Sequence, residues 1–450
     1  EYELPHQFNK VIEHAAKSIS TEITKEEIAK RKDFRSVCTF TIDPHDAKDF
    51  DDALSVKKLK NGNWEIGVHI ADVSHYIHTD DIIDVEAQER ATSVYLVDRV
   101  IPMLPEVLSN NLCSLRPNEE KLCFSAVFEL NEKAIIKKEW FGRTVILSNH
   151  RFTYEEAQKV IEDEKGKLAS ELLLLNKLAK QMRLKRMQAG AISFERLETK
   201  FLLNECGNPI EIYFKESKSA HKLIEEFMLL ANRKVAEFIG KQNFPFVYRV
   251  HDEPDPDKLQ TFSEFLKKFG YGLQTSNRKK TATSMNQILA DIHGKEEANM
   301  IETLAIRTMA KASYTTENIG HYGLAFLHYS HFTSPIRRYP DIIVHRLLQQ
   351  YLNKEKAADK ETIEQLCKHA SQQEIKATKA ERDSIKYMQA KYMSERVGMT
   401  FEGIISGVTD FGIFVEVTNT GCEGLIKTRD IPDDYYLFDE DNYCLKGTNT

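Results

Sequence analysis

The segment TIDPHDAKDFDDALSV, residues 41–56, constrains this chain most, because it holds five aspartates between two β-type stretches. Pro44 cannot donate a hydrogen bond to a strand ladder, so the first strand is predicted to end there. A second strand is predicted to begin after Asp52, with the sequence ALSV. Carboxylates this close repel one another, and they either take up protons or hold a cation. The segment therefore predicts a loop in which several carboxylates converge.

Four of these aspartates are candidate metal ligands: Asp43, Asp49, Asp51 and Asp52. Their oxygens are hard ligands, which suit Mg²⁺ or Mn²⁺ rather than zinc. Such ions keep open positions for a substrate phosphate, and two of them can clamp the attacking and leaving oxygens of a displacement. A solvated acidic turn is the alternative. A calcium EF-hand is excluded, because a loop from Asp49 would have Leu54 and Lys60 where Gly and Glu are required.

The composition is that of a globular protein, with 41% hydrophobic and 29% charged residues in a chain of 450. A net charge of −7 is not the usual basic signature of a nucleic-acid binder, although local patches decide binding. The seven cysteines form no CxxC pair, which argues against a disulfide scaffold or structural zinc. No apolar run approaches the roughly 18 residues of a membrane span, so no membrane contact is expected. The odd, unpaired cysteines favour a reducing compartment, and a cytoplasmic protein is expected.

The predicted elements divide the chain into three parts. Residues 1–35 are expected to form short helices, and the start EYELPHQFNK is expected to continue from a preceding segment rather than to be a signal peptide. Residues 36–396 are expected to form one large α+β domain. Residues 400–450 carry short β-type stretches with Gly turns, and they are expected to begin a small β domain.

Local signals predict several elements of the large domain. The NGN at residues 61–63 predicts a hairpin turn, and TYEE, beginning at Thr153, predicts a capping box that opens a helical region. AISFERLETKF, residues 191–201, predicts a return to strand. The remaining predictions are helices at 218–240, over most of 256–352, and at 361–396.

A second informative segment is HYGLAFLHYSHFTSPIRRYPDIIVHRLLQQYL, residues 321–352. Ser334 is predicted to cap a helix that has Pro335 in its first turn. Arg337 and Arg338 would then lie at a helix N-terminus, where a phosphate ligand would explain two cations. Surface arginines on an amphipathic helix are the alternative. Combined with the aspartates, an arginine clamp indicates phosphoryl transfer or phosphodiester hydrolysis.

Two aromatic residues are candidates for base stacking: Tyr95 in SVYLVDRVIPMLP and Phe194 in AISFERLETKF. Most aromatic side chains in a domain belong to its core. The pattern alone therefore favours a core position for each of them.

Several long motifs resemble the ribonuclease II / ribonuclease R family, whose catalytic unit is called the RNB domain. The motifs are TIDPHDAKDFDDALSV, IPMLPEVLSNNLCSLRP, HKLIEEFMLLAN and HYGLAFLHYSHFTSPIRRYPDIIVHR, within about residues 36–396. The segment YSHFTSPIRRYPD is more similar to the ribonuclease R motif than to the ribonuclease II motif. Residues 401–426, FEGIISGVTDFGIFVEVTNTGCEGLI, resemble the start of an S1-type OB fold, which binds single-stranded RNA.

The resemblance implies a fold, an activity and partners. The fold would be an RNB domain, a mixed β-sheet surrounded by helices with a central RNA channel, followed by a truncated S1-type barrel. Residues 1–35 would be a linker tail after cold-shock domains that this chain lacks. The activity would be processive 3′→5′ hydrolysis of single-stranded or structured RNA to nucleoside 5′-monophosphates. The cofactor would be Mg²⁺ or Mn²⁺ with no small-molecule cofactor, and a monomer is the simplest expectation.

The resemblance also implies roles for individual residues. Asp51, Asp49 and Arg337 would be catalytic, with Asp51 the most critical, and the four aspartates would bind metal. The implied RNA contacts are two clamp walls, Tyr95 and Phe194, two groups at the ribose end, Glu225 and Tyr154, and two further residues, Arg338 and Glu381. A surface salt bridge is the alternative for Glu381. An RNA-binding factor with a vestigial nuclease site is the alternative for the whole chain, and the intact aspartates argue against it.

Overall fold

The computed structural model describes residues 2–194, 197–295, 297–432, 434–439 and 444–449. The strands are β1 Lys32–Asp33, β2 Thr39–Asp43, β3 Asp52–Lys58, β4 Trp64–Ala71, β5 Val94–Tyr95, β6 Val100–Ile101, β7 Glu120–Leu130, β8 Ile136–Leu147, β9 His150–Thr153, β10 Glu198–Leu203, β11 Pro209–Lys215, β12 Tyr248–Val250, β13 Ser313–Thr315, β14 Gly403–Thr409, β15 Gly412–Val417, β16 Glu423–Lys427, β17 Tyr436–Asp439 and β18 Cys444–Gly447.

The α-helices are α1 Lys10–Ser18, α2 Lys25–Ala29, α3 Val73–Tyr76, α4 Ile82–Arg90, α5 Tyr154–Asp163, α6 Ala169–Gln188, α7 Ser219–Gly240, α8 Pro256–Lys268, α9 Arg278–Ile292, α10 Ala298–Thr308, α11 Tyr339–Leu352 and α12 Lys360–Ser394. Within the described part of the chain, every helix is too short or too polar to cross a membrane.

The main sheet is mixed, with the strand order β1-β8-β7-β4-β3-β2-β9. Its outer pairs, β1–β8 and β2–β9, are parallel, and the pairs between them are antiparallel. β3 and β4 form the hairpin predicted at NGN, where the Leu59 N–H donates to the Asn63 carbonyl. The mixed sheet with surrounding helices confirms the predicted α+β class.

One large core joins the main sheet to the helices around it. Buried apolar residues of the sheet, such as Phe40 and Leu54, share this core with Phe227 of α7. Ile12 and Ala16 of α1 belong to the same cluster. The segment predicted to be a linker tail therefore contributes to the core, and the packed unit begins before residue 36.

The predicted capping box at the start of α5 is confirmed. The Thr153 hydroxyl oxygen accepts from the Glu156 N–H at 3.1 Å, and the Glu156 carboxylate accepts from the Thr153 N–H at 2.8 Å. Such reciprocal bonds satisfy N–H groups that a helix start leaves free. Because β9 ends at Thr153 beside β2, this cap fixes Tyr154 next to the end of the aspartate-bearing strand.

The strand predicted over AISFERLETKF begins only at Glu198, and Glu195 and Arg196 lie outside the described residues. The preceding backbone is irregular because tertiary partners take its hydrogen bonds. The Asn286 side chain accepts from the Ser193 N–H at 3.1 Å and donates to the Ala191 carbonyl at 2.7 Å. A strand ladder needs these same groups, so it cannot form here.

A buried ion cluster ties the first residues of the domain to the centre of the sheet. Both Arg31 and Arg143 donate to one Asp72 oxygen, at 2.7 and 3.0 Å, and the Ser74 hydroxyl donates to the other at 3.0 Å. Asp72 is fully buried, and the two guanidinium groups outweigh this burial, so its pKa lies below the usual range. Removing one partner of such a pair leaves uncompensated buried charge.

We expect Asp72→Asn to lower the free energy of unfolding by about 3–5 kcal/mol, because the buried Arg31 and the partly exposed Arg143 would both lose a buried carboxylate partner. Urea unfolding followed by circular dichroism measures this loss. The matched control is Asp33→Asn, which removes an exposed carboxylate paired with Arg35 and should change stability little. Equal stability of the Asp72 variant and the wild-type chain would contradict the assigned role.

The C-terminal strands form a separate small unit. β14, β15 and β16 make an antiparallel sheet, and β17 pairs with β18. The loop at 418–422 contacts α12, where the Gln389 side-chain amide donates to the Gly421 carbonyl at 2.9 Å. This contact places one loop of the small unit against the large domain.

Candidate active site

The four predicted aspartates line one cavity of about 740 Å³. Asp43 ends β2 and Asp52 begins β3, so the two adjacent strands deliver the ends of the loop to one place. Asp49 and Asp51 come from the irregular segment between them. The structure therefore brings these four carboxylates together. A regular strand could not do so, because its successive side chains point to opposite faces of the sheet.

The loop between β2 and β3 is fixed by buried hydrogen bonds. The Ser114 hydroxyl accepts from the Phe50 N–H at 3.0 Å and donates to the Lys48 carbonyl at 2.7 Å. The Asp51 carbonyl accepts from the Ala71 N–H at 2.9 Å, which ties the loop to the end of β4. The aspartates are thus held by the main sheet and by a distant serine.

Asp51 connects this loop to the arginine segment. Its Oδ1 accepts from the Ile336 N–H at 2.9 Å, and its Oδ2 lies 3.7 Å from Arg337 Nε. Arg337 also donates to the Ser334 hydroxyl at 3.0 Å. The Arg337 side chain is 41% exposed while Asp51 is buried, so the guanidinium can reach a ligand in the cavity.

The prediction that Ser334 caps a helix is wrong, because α11 begins at Tyr339. One turn forms, with the Arg338 N–H donating to the Ser334 carbonyl at 3.0 Å, and Arg338 then adopts an extended conformation with φ −139°. The extended backbone pairs with a neighbouring segment, since the Tyr339 N–H donates to the Ala91 carbonyl at 2.9 Å. Arg337 therefore lies in a turn before the helix, and the helix-dipole argument does not apply to it.

The structure does not place Arg338 with the groups that face the cavity. Its guanidinium makes two hydrogen bonds to Asp341, both at 2.9 Å, and Asp341 also accepts from the Ser334 N–H at 2.8 Å. Asp341 is fully buried. In the structure Arg338 thus forms an ion pair that braces the turn carrying Arg337, and its RNA contact remains a prediction.

The charge state of the aspartates indicates a missing counter-charge. Burial raises the pKa of all four carboxyls, to about 8 for Asp43, where Asp52 adds repulsion, and to about 6 for Asp52 itself. Arg337 opposes this shift at Asp49, Asp51 and Asp52 but does not cancel it. One buried oxygen, Asp43 Oδ2, has no hydrogen-bond partner.

These features fit a divalent cation with oxygen ligands. Within the described residues, no three acidic, histidine or cysteine side chains already converge as a closed metal cage. Mg²⁺ usually binds through one or two carboxylates and keeps waters and substrate phosphates as its other ligands. An open, carboxylate-lined cavity suits that ion better than a cage would.

Two of the predicted aromatic residues, Tyr95 and Tyr154, line this cavity, and the predicted acidic residue Glu381 contacts Tyr95. Tyr95 is 41% exposed in the cavity wall, with its hydroxyl 3.5 Å from Asp49 Oδ2. Glu381 of α12 accepts from the Tyr95 N–H at 2.9 Å, so it holds the strand rather than forming a surface salt bridge. Tyr154 also lines the cavity, and its ring stacks on His221 at 4.0 Å with planes 5° apart.

Phe194 and Glu225 are not part of the described cavity wall. Phe194 is partly buried and packs against a second core cluster that includes Ile192 and Phe262, as the core alternative expected. The Glu225 carboxylate lies 3.0 Å from a guanidinium nitrogen of Arg186. Their predicted RNA contacts remain predictions, since the structure places neither side chain beside the aspartates.

Other groups at the site were not predicted from the sequence. Arg151 donates to the Pro44 and His45 carbonyls and so fixes the start of the aspartate loop. Lys200 of β10 lines the cavity. The Ile336 N–H that holds Asp51 is a backbone group, which no residue pattern could have revealed.

Comparison with known proteins identifies the family. The model of the RNB domain matches residues 31–354, and the model of the S1 RNA binding domain matches residues 394–448. The chain therefore belongs to the RNB-domain family, which confirms the resemblance seen in its motifs. Curated relatives within this family that are similar over the whole chain carry the name Ribonuclease R.

Ribonuclease R of Aquifex aeolicus (strain VF5) is 40% identical over 458 residues, which cover 100% of this chain and 65% of the relative. Ribonuclease R of Escherichia coli (strain K12) is 36% identical and is matched over 57% of its length. The structure of Mycoplasma genitalium RNase R in complex with ribose methylated single-stranded RNA superimposes with a TM-score of 0.94. That protein is 31% identical, and the match covers 100% of this chain and 72% of that one.

Proposed function

We propose that this chain is a 3′→5′ exoribonuclease that hydrolyses single-stranded RNA to nucleoside 5′-monophosphates with Mg²⁺ or Mn²⁺. The observation that carries the proposal is one cavity lined by four aspartates and by Arg337, whose Nε lies 3.7 Å from Asp51. The names of the curated relatives and the RNA complex of the Mycoplasma protein support RNA as the substrate.

The proposal also covers the domain organisation, oligomeric state and cellular location of the protein. Residues 36–396 would form the catalytic domain around an RNA channel, and residues 400–450 would form an RNA-binding unit. Residues 1–35, which pack against the catalytic domain, would join it to any preceding domains. We further propose a cytoplasmic monomer, acting in RNA decay, with no small-molecule cofactor. The S1 match to residues 394–448 supports the RNA-binding assignment of the small unit.

The reaction adds water across the last phosphodiester of the strand. The attacking oxygen bonds to phosphorus, the bond from phosphorus to the upstream 3′ oxygen breaks, and that oxygen takes up a proton. Arg337 would hold the scissile phosphate and stabilise its developing negative charge. One or two of the four aspartates would ligate a bound cation, which supplies a more acidic water and charge neutralisation when bound. Tyr95 would stack on a terminal base and align the strand.

A single-stranded RNA labelled at its 5′ end tests the function. In Mg²⁺ we expect released nucleoside monophosphates and a short labelled end product, and in EDTA we expect intact RNA. Loss of the 5′ label as the first small product would show the opposite direction. Intact RNA in both buffers, with binding retained, would instead identify the RNA-binding factor with a vestigial site.

Tyr95→Ala should lengthen the final labelled product, because one stacking surface for the terminal bases is lost. The loss in RNA binding free energy should be about 1–3 kcal/mol. Tyr95→Phe keeps the ring and serves as the control. Gel analysis of end-product length measures the effect, and an unchanged length would contradict the stacking role.

Metal removal should make stability depend on pH. The folded pKa of Asp43, about 8, exceeds its unfolded value of 3.8, so between these values the folded chain binds the extra proton. Stability without metal therefore falls as pH rises, by about 2 kcal/mol between about pH 6 and pH 8 for this carboxyl alone. Addition of Mg²⁺ near pH 8 should restore it.

Thermal unfolding in EDTA and in Mg²⁺ at both pH values measures this dependence. Asp43→Asn removes the titrating group, so its stability in EDTA should vary less with pH. A wild-type chain whose melting temperature in EDTA rises between about pH 6 and pH 8 would contradict the prediction, since the sign of the linkage would be reversed.

A further inference from the structure

We infer that Lys200 positions the RNA by contacting a backbone phosphate in the aspartate cavity, and that the loop at 418–422 holds Lys200 in place. The inference deepens the proposed function and rests on it. It assigns a substrate contact to the hairpin of β10 and β11, and it gives the small C-terminal unit a structural role at the active site.

The register of the hairpin separates its two faces. Lys200 lies opposite Tyr213, and Thr199 lies opposite Phe214. Side chains alternate along a strand, so Lys200 and Tyr213 share one face while Thr199 and Phe214 share the other. Since Lys200 lines the cavity, the face with Phe214 is turned away from it.

The loop at 418–422 covers that second face. A Cβ atom built on Gly421 would lie 3.2 Å from the Phe214 ring and 3.9 Å from Thr199 Oγ1. Gly421 has φ +64°, a conformation that suits glycine, and its carbonyl accepts from Gln389 of α12. The hairpin is therefore supported from behind at the Thr199–Phe214 pair, which is next to the Lys200–Tyr213 pair in register.

The charge of Lys200 is available to an RNA phosphate. Its described partner is Glu198, with Nζ 2.7 Å from Oε1, and the Lys200 and Glu198 side chains are 43% and 64% exposed. Exposed ion pairs of this kind are weak and exchange readily. Lys200 comes from the β10–β11 hairpin, whereas Arg337 lies beside Asp51 in the turn before α11. With Arg337 assigned to the scissile phosphate, Lys200 in the same cavity fits a different phosphate of the strand.

The test measures RNA binding without cleavage, in the full chain carrying Asp51→Asn. A fluorescent single-stranded RNA is titrated at several salt concentrations. Lys200→Gln should weaken binding roughly tenfold at low salt. It should also reduce the slope of log affinity against log salt by about 0.7, the value for one phosphate contact on a single strand. Lys200→Arg should restore both quantities.

The matched control is Lys60→Gln, which removes one exposed positive charge from the β3–β4 turn. It should leave the slope unchanged. An unchanged slope in Lys200→Gln would overturn the phosphate contact while leaving the proposed function intact. A chain with Asp51→Asn that binds no RNA at any salt would overturn the proposed function instead.

Two variants test the supporting loop. Gly421→Val forces a side chain against the Phe214 ring, and Phe214→Ala deletes the ring without adding bulk. Each should reproduce the slope loss of Lys200→Gln, and combining either with Lys200→Gln should cause no further loss. Circular dichroism checks that each variant folds. If Gly421→Val does not fold, the salt slope of Phe214→Ala alone tests the role of the loop. A wild-type slope in a folded loop variant would overturn the role of the loop.

Discussion

Asp51→Asn should lower the rate of RNA cleavage by at least about 10³-fold, the upper range for loss of one preorganised charged group. The amide keeps an oxygen that can accept from the Ile336 N–H, so the loop should retain its position. RNA binding should survive and can become tighter, because a negative charge near the phosphate has been removed. Mononucleotide release and RNA affinity, measured on the same preparation, separate the two effects.

The matched control for this variant is Asp163→Asn, an exposed aspartate at the end of α5, which should cleave at the wild-type rate. Loss of RNA binding by Asp51→Asn, with cleavage of the bound fraction retained, would contradict the assignment. It would show that Asp51 serves binding and that the chemistry takes place elsewhere.

Arg337→Ala should lower the cleavage rate by about 10²–10³-fold, because the guanidinium that we propose to hold the scissile phosphate is lost. Arg337→Lys keeps the charge but not the two-pronged geometry, so it should recover only part of the rate. Arg337 also lowers the pKa of Asp49, Asp51 and Asp52 against the effect of burial. The activity of Arg337→Ala should therefore begin at higher pH than that of the wild-type chain.

Arg338→Lys is the informative comparison for this prediction, because Arg338 bonds to Asp341 and braces the turn. Its effect should appear first in thermal stability, and its pH profile should stay near that of the wild-type chain. A pH profile that is the same for Arg337→Ala and the wild-type chain would contradict the electrostatic role of Arg337.

Local chemistry explains what the sequence could predict. The hairpin at residues 61–63, the capping box at Thr153 and the strand break at Pro44 each depend on a few neighbouring residues, and the structure confirms them. The convergence of the aspartates was predicted from the same local argument. The loop that carries them joins the end of one strand to the start of the next, so its residues lie at one place at the edge of the sheet.

The predictions that failed depended on contacts between distant parts of the chain. The helix expected at Ser334 is interrupted because the backbone after Arg337 pairs with the segment at Ala91. The strand expected before Glu198 is replaced by hydrogen bonds to Asn286. In both cases the local propensity was compatible with the prediction, and a tertiary partner took the backbone groups that the predicted element required.

The hydrogen bond between Asp51 and the Ile336 N–H joins residues 285 positions apart. A ribosome adds about 5–20 residues per second, so the aspartates leave it roughly 15–60 s before the arginine that completes their site. During that interval the growing chain carries carboxylates without the group that would hold a scissile phosphate. Because of the order of the two segments, the proposed site can be complete only after most of the domain has been made.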